Sequence, residues 1–279
     1  MRYIDTGFVS FKVRSAPKSV LSNIDVLYPE VELDFADFTI ELKQEALLRR
    51  LFKPQISFYH GNHTAFRPLP LSQAYPFLEW GMNWCVAAHM FNYLIIHAAV
   101  LEKDGKAIIF PAPPGSGKST LTAYMMFNGW RLLSDEMAVI DMQKLEVRPS
   151  VRPICLKNDS IGLIKKLFPQ TVSTGIARDT QKGDVAHVKP TSESFERRHE
   201  TAKIVGVVFP KYTGAEGVDI YQLSKADVLM SLKENSFNFD TIGVEAFECL
   251  KKVVEMSACF EVEYGDTNDF IRFLESDVL

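Results

Sequence analysis

The chain has 279 residues, 47% of them hydrophobic and 24% charged, with a formal net charge of −4. That is ample material for a core in one or two domains, and an acidic balance (pI ≈ 5.9) excludes general nucleic-acid affinity, which needs a basic excess to neutralise phosphates. No run reaches the ~18 apolar residues of a membrane span, and MRYIDTGFVSFKV is not a signal peptide, so a cytoplasmic protein is expected.

The first hundred residues read as a lead-in. Phe8 to Val13, apolar at 9, 11 and 13, alternates as a strand, and Phe38 to Leu42 repeats the pattern, which suggests a small antiparallel sheet. Ala16 to Tyr28 reads as a helix closed by Pro29. Gln55 to Tyr59 with the His60-Gly61-Asn62 turn reads as a hairpin, and Arg67 to Pro70 as an extended link. Leu71 to Phe91 is an amphipathic helix rich in aromatics, whose Trp80 and Trp84 are expected to pack rather than stack on a cofactor. Tyr93 to Ile96 continues as a strand to His97-Ala98-Ala99, and Val100 to Gly105 turns the chain toward the next strand. His97 is either a structural histidine at a strand end or an acid/base group at a reacting centre.

The stretch from Lys106 to Asp141 carries the chemistry. Ala107 to Phe110 is a short apolar run with the β-branched content of a buried strand, ended by Pro111, Pro113 and Pro114. In the GSGKST that follows, Gly115 and Gly117 let backbone N–H groups approach a phosphate chain, with Ser116 and Thr120 in the same cradle. Lys118 would neutralise the β and γ phosphates, and the Ser119 hydroxyl would ligate Mg²⁺. A helix is expected from Ser119, with Leu121, Tyr124, Met125 and Asn128 on one face and Gly129 ending it, so its N-terminus faces the phosphates. The strand Trp130 to Leu133 then delivers Ser134, Asp135 and Glu136, where a metal-linked or catalytic carboxylate belongs. The first position of the G-x-x-x-x-G-K-[ST] pattern is Ala112, a mild departure.

Further on, Met137 to Asp141 and Leu145 to Arg148 form a hairpin pattern, and Ser160 to Leu167 a helix before Pro169. Arg152 and Lys157 are either clamps on a transferring phosphoryl group or solvated cations. Thr171 to Pro190 reads as a long polar loop before a short strand at Val185 to Val188. Long loops are often lids, which makes Arg178, Lys182 and His187 candidates for substrate or nucleotide contact. ESFERRHE (193 to 200) reads as a solvated connector. Ile204 to Phe209 is a buried strand stopped by Pro210, with Lys211 at its end. Lys225 to Asn235 and Val244 to Ser257 are helices, Ala258 to Tyr264 a strand, and Asn268 to Glu275 a closing helix. Asn235 and Asn238 are either polar contacts near a site or helix caps. Cys85, Cys155, Cys249 and Cys259 are widely spaced without a C-x-x-C pair, so buried thiols are expected rather than a zinc site or disulfides.

The order IIHAAVL, APPGSGKST, GWRLLSDE resembles the catalytic core of HPr kinase/phosphorylase, and more closely the related HPr-kinase-related kinase A family. FADF, FRPLPL, FLEWGMNWC, RPICLKN, KGDVAH, VVFPKY and ENSFNF extend the resemblance over nearly the whole chain. It implies an α/β fold with a P-loop kinase core of HPr kinase/PEP carboxykinase type and a mixed sheet at 71–279, preceded by a small α+β module at 1–70. It assigns His97 to the reaction centre, Lys118 and Ser119 to phosphates and metal, and Asp135 and Glu136 to the paired acids. Glu136 stands where the HPr enzyme has a second aspartate. Residues 1–70 do not resemble that enzyme's regulatory domain, so neither hexameric assembly nor HPr as acceptor carries over, and a homo-oligomer stays open. The expected activity is ATP- and Mg²⁺-dependent transfer of the γ-phosphoryl group to a hydroxyl, on a protein or peptide serine or a small metabolite. The alternative is a nucleotide-binding regulatory or assembly ATPase without an acceptor.

Overall fold

The computed structural model describes residues 1–44, 52–113 and 115–279, and the chain divides into two compact units, Met1–His89 with Arg152–Lys189 and Met90–Val151 with Pro190–Leu279. The expected boundary at 70/71 differs from this division, because the helix that follows residue 70 packs within the first unit.

In the first unit, β1 (Arg2–Asp5), β2 (Ser10–Ser15), β3 (Phe38–Lys43), β4 (Gln55–His60) and β5 (Leu69–Pro70) lie side by side in that order, with α1 (Lys18–Leu27) between β2 and β3. The sheet is mixed, not antiparallel as the alternation suggested. Helix α1 carries the chain back to the starting end, so β2 and β3 run parallel, with Phe11 opposite Phe38. The alternation itself is faithful: Val9, Phe11 and Val13 are all buried. A 3₁₀ turn (Leu71–Gln73) leads into α2 (Ala74–His89). Gly81 lets α2 lie directly on β4, since a Cβ there would stand 2.0 Å from Cε2 of Phe58.

The chain then enters the second unit with β6 (Tyr93–Ile96), β7 (Ala98–Lys103), β8 (Lys106–Pro111), α3 (Lys118–Phe127), β9 (Arg131–Ser134), β10 (Ala138–Asp141) and β11 (Glu146–Arg148). Val100 to Lys103, expected as part of a turn, belongs to β7. The turn is only Asp104-Gly105, whose φ values of 53° and 80° are those of a two-residue type I′ hairpin.

Residues 152–189 return to the first unit. Strand β12 (Ile154–Lys157), helix α4 (Asp159–Leu167) and strands β13 (Ala177–Thr180) and β14 (Gly183–Val188) follow, the strands forming an antiparallel sheet in the order β12-β14-β13. The stretch expected as a long loop before a short strand at Val185–Val188 therefore holds a β-hairpin, whose second strand contains the expected one. Arg152 meets Glu79 of α2 at 3.7 Å, and both side chains are mostly buried. The phenols of Tyr28 (2.9 Å) and Tyr75 (2.7 Å) donate to the same carboxylate, and burial pushes both phenols well above their ordinary pKa. A buried carboxylate persists when it is paired and hydrogen-bonded in this way.

The second unit is completed by α5 (Ser192–Glu196), β15 (Ala202–Tyr212), β16 (Val218–Gln222), α6 (Lys225–Glu234), α7 (Phe239–Ile242), α8 (Val244–Met256), β17 (Ala258–Tyr264) and α9 (Thr267–Phe273). Its sheet runs β6-β10-β11-β15-β8-β7-β9, and β17, carrying β16 on its far side, pairs with the later half of β15. Pro210 does not stop β15 as expected. Beyond Val207 the strand pairs with β17 but no longer with β8, and a strand paired on one side tolerates a residue without an N–H. The ESFERRHE segment is also more than a connector, because α5 buries Ser194 and Phe195. Ile96, Val100, Ile109, Leu133, Ile140 and Val207 from the sheet form one core with Leu232 of α6 and Leu250 and Val254 of α8. All four cysteines are buried and free. Among the described residues, no helix is long and apolar enough to cross a membrane.

Candidate functional site

Strand β8 ends at Pro111 and α3 begins at Lys118, so the glycine-containing segment turns the chain from a buried strand into a helix. Gly115 (φ 89°) and Gly117 (φ 86°) both occupy the left-handed region, which a side chain rarely adopts. Apart from the adjoining residues, no described atom lies within 4 Å of a Cβ built on either, so both glycines border open space that a side chain would occupy. The first backbone bond of α3 runs from the Leu121 N–H to the Gly117 carbonyl at 2.9 Å, and no side chain caps the helix. The amides of Lys118, Ser119 and Thr120 therefore precede the intrahelical ladder, an arrangement suited to an anion. Ser116 sits in the turn, its N–H bonded to the Pro113 carbonyl. The Lys118 ammonium is shielded from solvent, and the Thr122 hydroxyl donates to the Lys118 carbonyl at 2.9 Å.

The acidic residues arrive from β9. Asp135, only 8% exposed, accepts a hydrogen bond at Oδ2 from the Ser119 hydroxyl at 3.1 Å. The two halves of the sequence pattern, sixteen residues apart in the chain, thus meet through one hydroxyl and one carboxylate. The turn is held by Ser134, whose Oγ accepts from the N–H groups of Glu136 (3.4 Å) and Met137 (3.0 Å). Glu136 is half-buried beside Asp135.

His97 joins β6 to β7, and strand register fixes where it stands. Its neighbour Ile96 pairs with Ala138, three residues after Asp135, while Ala98 pairs with Pro111 at the start of the glycine turn. Histidine, loop and acids are consequently at the same end of the sheet. The His97 N–H donates to the Asn235 carbonyl at 2.7 Å, and its ring lies 5.7 Å from that of Phe237. Asn238, 2% exposed, accepts from the Ile95 N–H (3.0 Å) and donates to the carbonyls of Met90 (3.2 Å) and Tyr93 (2.8 Å). Asn238 is thus a clamp on β6, the strand that leads into His97. Asn238, expected as a polar contact near a site or a helix cap, spends its side chain on β6 and does not cap α7 with it, while the support that Ser134 gives the turn was not disclosed by the sequence.

The other candidate cations belong to the first unit. Arg152 bonds the side chain of Asn83 and the carbonyl of Glu79 (3.1 Å) besides meeting the Glu79 carboxylate. Lys157 ends β12, with its N–H bonded to Ser160 Oγ at 2.9 Å. Arg178, exposed on β13, pairs with Asp184 at 3.3 Å, and the Lys182 ammonium lies 5.4 Å from the centre of the Trp80 ring. His187 is 1% exposed in β14, its ring 5.2 Å from that of Tyr75, which makes it a core histidine rather than a loop contact.

The donor set of a hydroxyl and a carboxylate oxygen suits a hard cation such as Mg²⁺, which keeps several waters and binds through one or two protein oxygens plus substrate phosphates. The open space before Gly115 and Gly117 fits a phosphate chain approached by backbone amides. No model of a known protein family matches the sequence, and no curated protein matches it.

Proposed function

We propose that the chain is an ATP- and Mg²⁺-dependent kinase of the HPr-kinase-related type, acting in the cytoplasm. It would transfer the γ-phosphoryl group to a hydroxyl on a protein, a peptide or a small metabolite. The observation that carries this reading is the 3.1 Å contact between Ser119 and Asp135 at the end of a turn whose two glycines border open space. The resemblance of IIHAAVL, APPGSGKST and GWRLLSDE to that family supports it further, and the second unit's mixed sheet is compatible with it.

In this reading Gly115, Ser116, Gly117, Lys118, Ser119 and Thr120 bind the triphosphate, and Lys118 neutralises charge on its outer phosphates. Ser119 and Asp135 hold the Mg²⁺, which supplies charge neutralisation across the phosphates. Asp135 or His97 takes the proton of the acceptor hydroxyl, a contribution of about 10²–10⁴-fold in rate for a well-placed base. Glu136, adjacent on the same turn, is the second acid of the pair and reaches one methylene further than an aspartate would.

The test is transfer of label from γ-labelled ATP with Mg²⁺, using a lysate of the source cell as the acceptor pool, beside Asp135→Asn and Lys118→Ala controls. A labelled acceptor that disappears with Asp135→Asn, while that variant still binds ATP, supports the kinase and supplies its substrate. Tight ATP binding with no transfer to any acceptor overturns it in favour of a nucleotide-binding regulatory or assembly protein.

A further inference from the structure

The sheet of the second unit has three outer strands, and they are treated differently. Along β9, the Leu132 N–H is taken by Ser194 Oγ at 3.0 Å. Along β6 and into His97, backbone groups are taken by the segment 235–238: Phe237 N–H to Ile95 O at 2.9 Å, Ser236 Oγ to the same carbonyl at 3.1 Å, and His97 N–H to Asn235 O at 2.7 Å. Strand β16 pairs with β17 on one side, from Val218 opposite Tyr264 to Gln222 opposite Phe260, and among the described residues no strand or segment covers its other side. An uncovered strand edge presents a row of N–H and C=O groups that a further strand can complete.

The two faces at this edge differ in chemistry. On one, Asp219 stands opposite Glu263 and Tyr221 opposite Glu261. Lys211 answers only part of that charge, bonding Glu263 at 2.5 Å. On the other face, Val218, Ile220 and Gln222 stand opposite Tyr264, Val262 and Phe260, and Ile220 remains 45% exposed. A strand that fits must therefore be basic on alternate residues and apolar on those between. A second copy of this chain would bring Asp219 and its neighbouring glutamates toward their own duplicates, which like-charge repulsion opposes. Acidic residues on an open edge guard against self-pairing while attracting the opposite charge.

We propose that β16 is a docking edge for an extended segment of a partner protein with alternating basic and apolar residues, added as a further strand of the sheet. This surface does not depend on the phosphate-loop reading.

The probe is a labelled, capped peptide of alternating lysine and valine, titrated against the whole protein by fluorescence anisotropy, with hydrogen exchange followed at Val218–Gln222. The expected result is saturable binding that weakens with salt, slower exchange at those amides, and weaker binding of the glutamate–valine counterpart. Asp219→Lys should weaken the lysine peptide about tenfold, as expected when a rim attraction becomes a repulsion. Three results would each overturn the proposal. One is absence of binding. Another is equal binding by a peptide N-methylated at every residue, which has no N–H left with which to pair as a strand. The third is a protein that sediments as a dimer dissociated by Ile220→Asp, which would mean that a second copy occupies the edge.

Discussion

Replacing Glu102 by leucine tests whether the strand that presents Asp135 is held by a buried charge. Glu102 of β7 and Arg131 of β9 are directly opposite in register, their side chains 1% and 2% exposed, and the carboxylate accepts from Arg131 Nε. The Arg131 Nη1 also donates to the carbonyls of Arg197 (2.8 Å) and Glu200 (3.0 Å), and the Gly105 N–H donates to Glu102. Removing the carboxylate strands a guanidinium away from water, so Glu102→Leu should cost about 3–5 kcal/mol. Adding Arg131→Met removes the stranded charge. The two carbonyls it releases belong to a half-exposed and an exposed residue that water can reach, so the double variant should recover most of that loss. The assay is urea unfolding with Trp80 and Trp84 changed to phenylalanine, leaving Trp130, which neighbours Arg131, to report on the second unit. A cost below about 1 kcal/mol for Glu102→Leu, or strict additivity in the double variant, would refute the argument.

Gly117→Ala forces a side chain into a left-handed backbone position and fills the space before the loop; it should cost about 1–2 kcal/mol of stability and weaken ATP binding by more than tenfold, read by urea unfolding and calorimetry. Gly81→Ala drives a methyl group into the Phe58 ring and should cost about 1–3 kcal/mol in unfolding of the first unit, with Gly81→Ala/Phe58→Leu recovering part of it. Burial pushes the Cys85 thiol from 9.0 up to about 12 and that of Cys249 from 9.0 to about 11. The folded state then keeps protons that the unfolded chain gives up. The stability from each thiol is full below pH 9 and falls as pH rises toward the folded value, by up to about 1.4 kcal/mol per pH unit. Cys85→Ala should flatten that fall relative to the parent protein, and an unchanged slope would show that the thiol does not contribute.

The glycine turn, its flanking strand and helix, and the acids after β9 were legible because each is a local signal: an apolar run, a left-handed glycine, a helical stripe. The position of His97 was half legible. The sequence placed it before the hairpin, but only the pairing of Ile96 with Ala138 and Ala98 with Pro111 brings it to the loop and the acids. Asp104-Gly105 was a hairpin signal outweighed by the expectation of a longer connection. Long-range partners were invisible. Nothing near Arg152 reveals that its guanidinium donates to the backbone carbonyl of Glu79, seventy-three residues earlier, and pairs with that residue's carboxylate, and nothing near Asn238 reveals its clamp on β6. Pro210 misled because its cost depends on whether a strand is paired on one side or both, a property of the sheet rather than of the residue.

The first unit is built from two stretches of chain with the first half of the second unit between them. During synthesis, Glu79 and the tyrosines that hold it emerge long before Arg152, so the buried carboxylate waits for its counter-charge until more than seventy further residues have left the ribosome. A truncation after His89 would strand that carboxylate, whereas a fusion of residues 1–89 directly to 152–189 would return its counter-charge. The boundary that respects the physics of this chain is therefore a splice and not a cut.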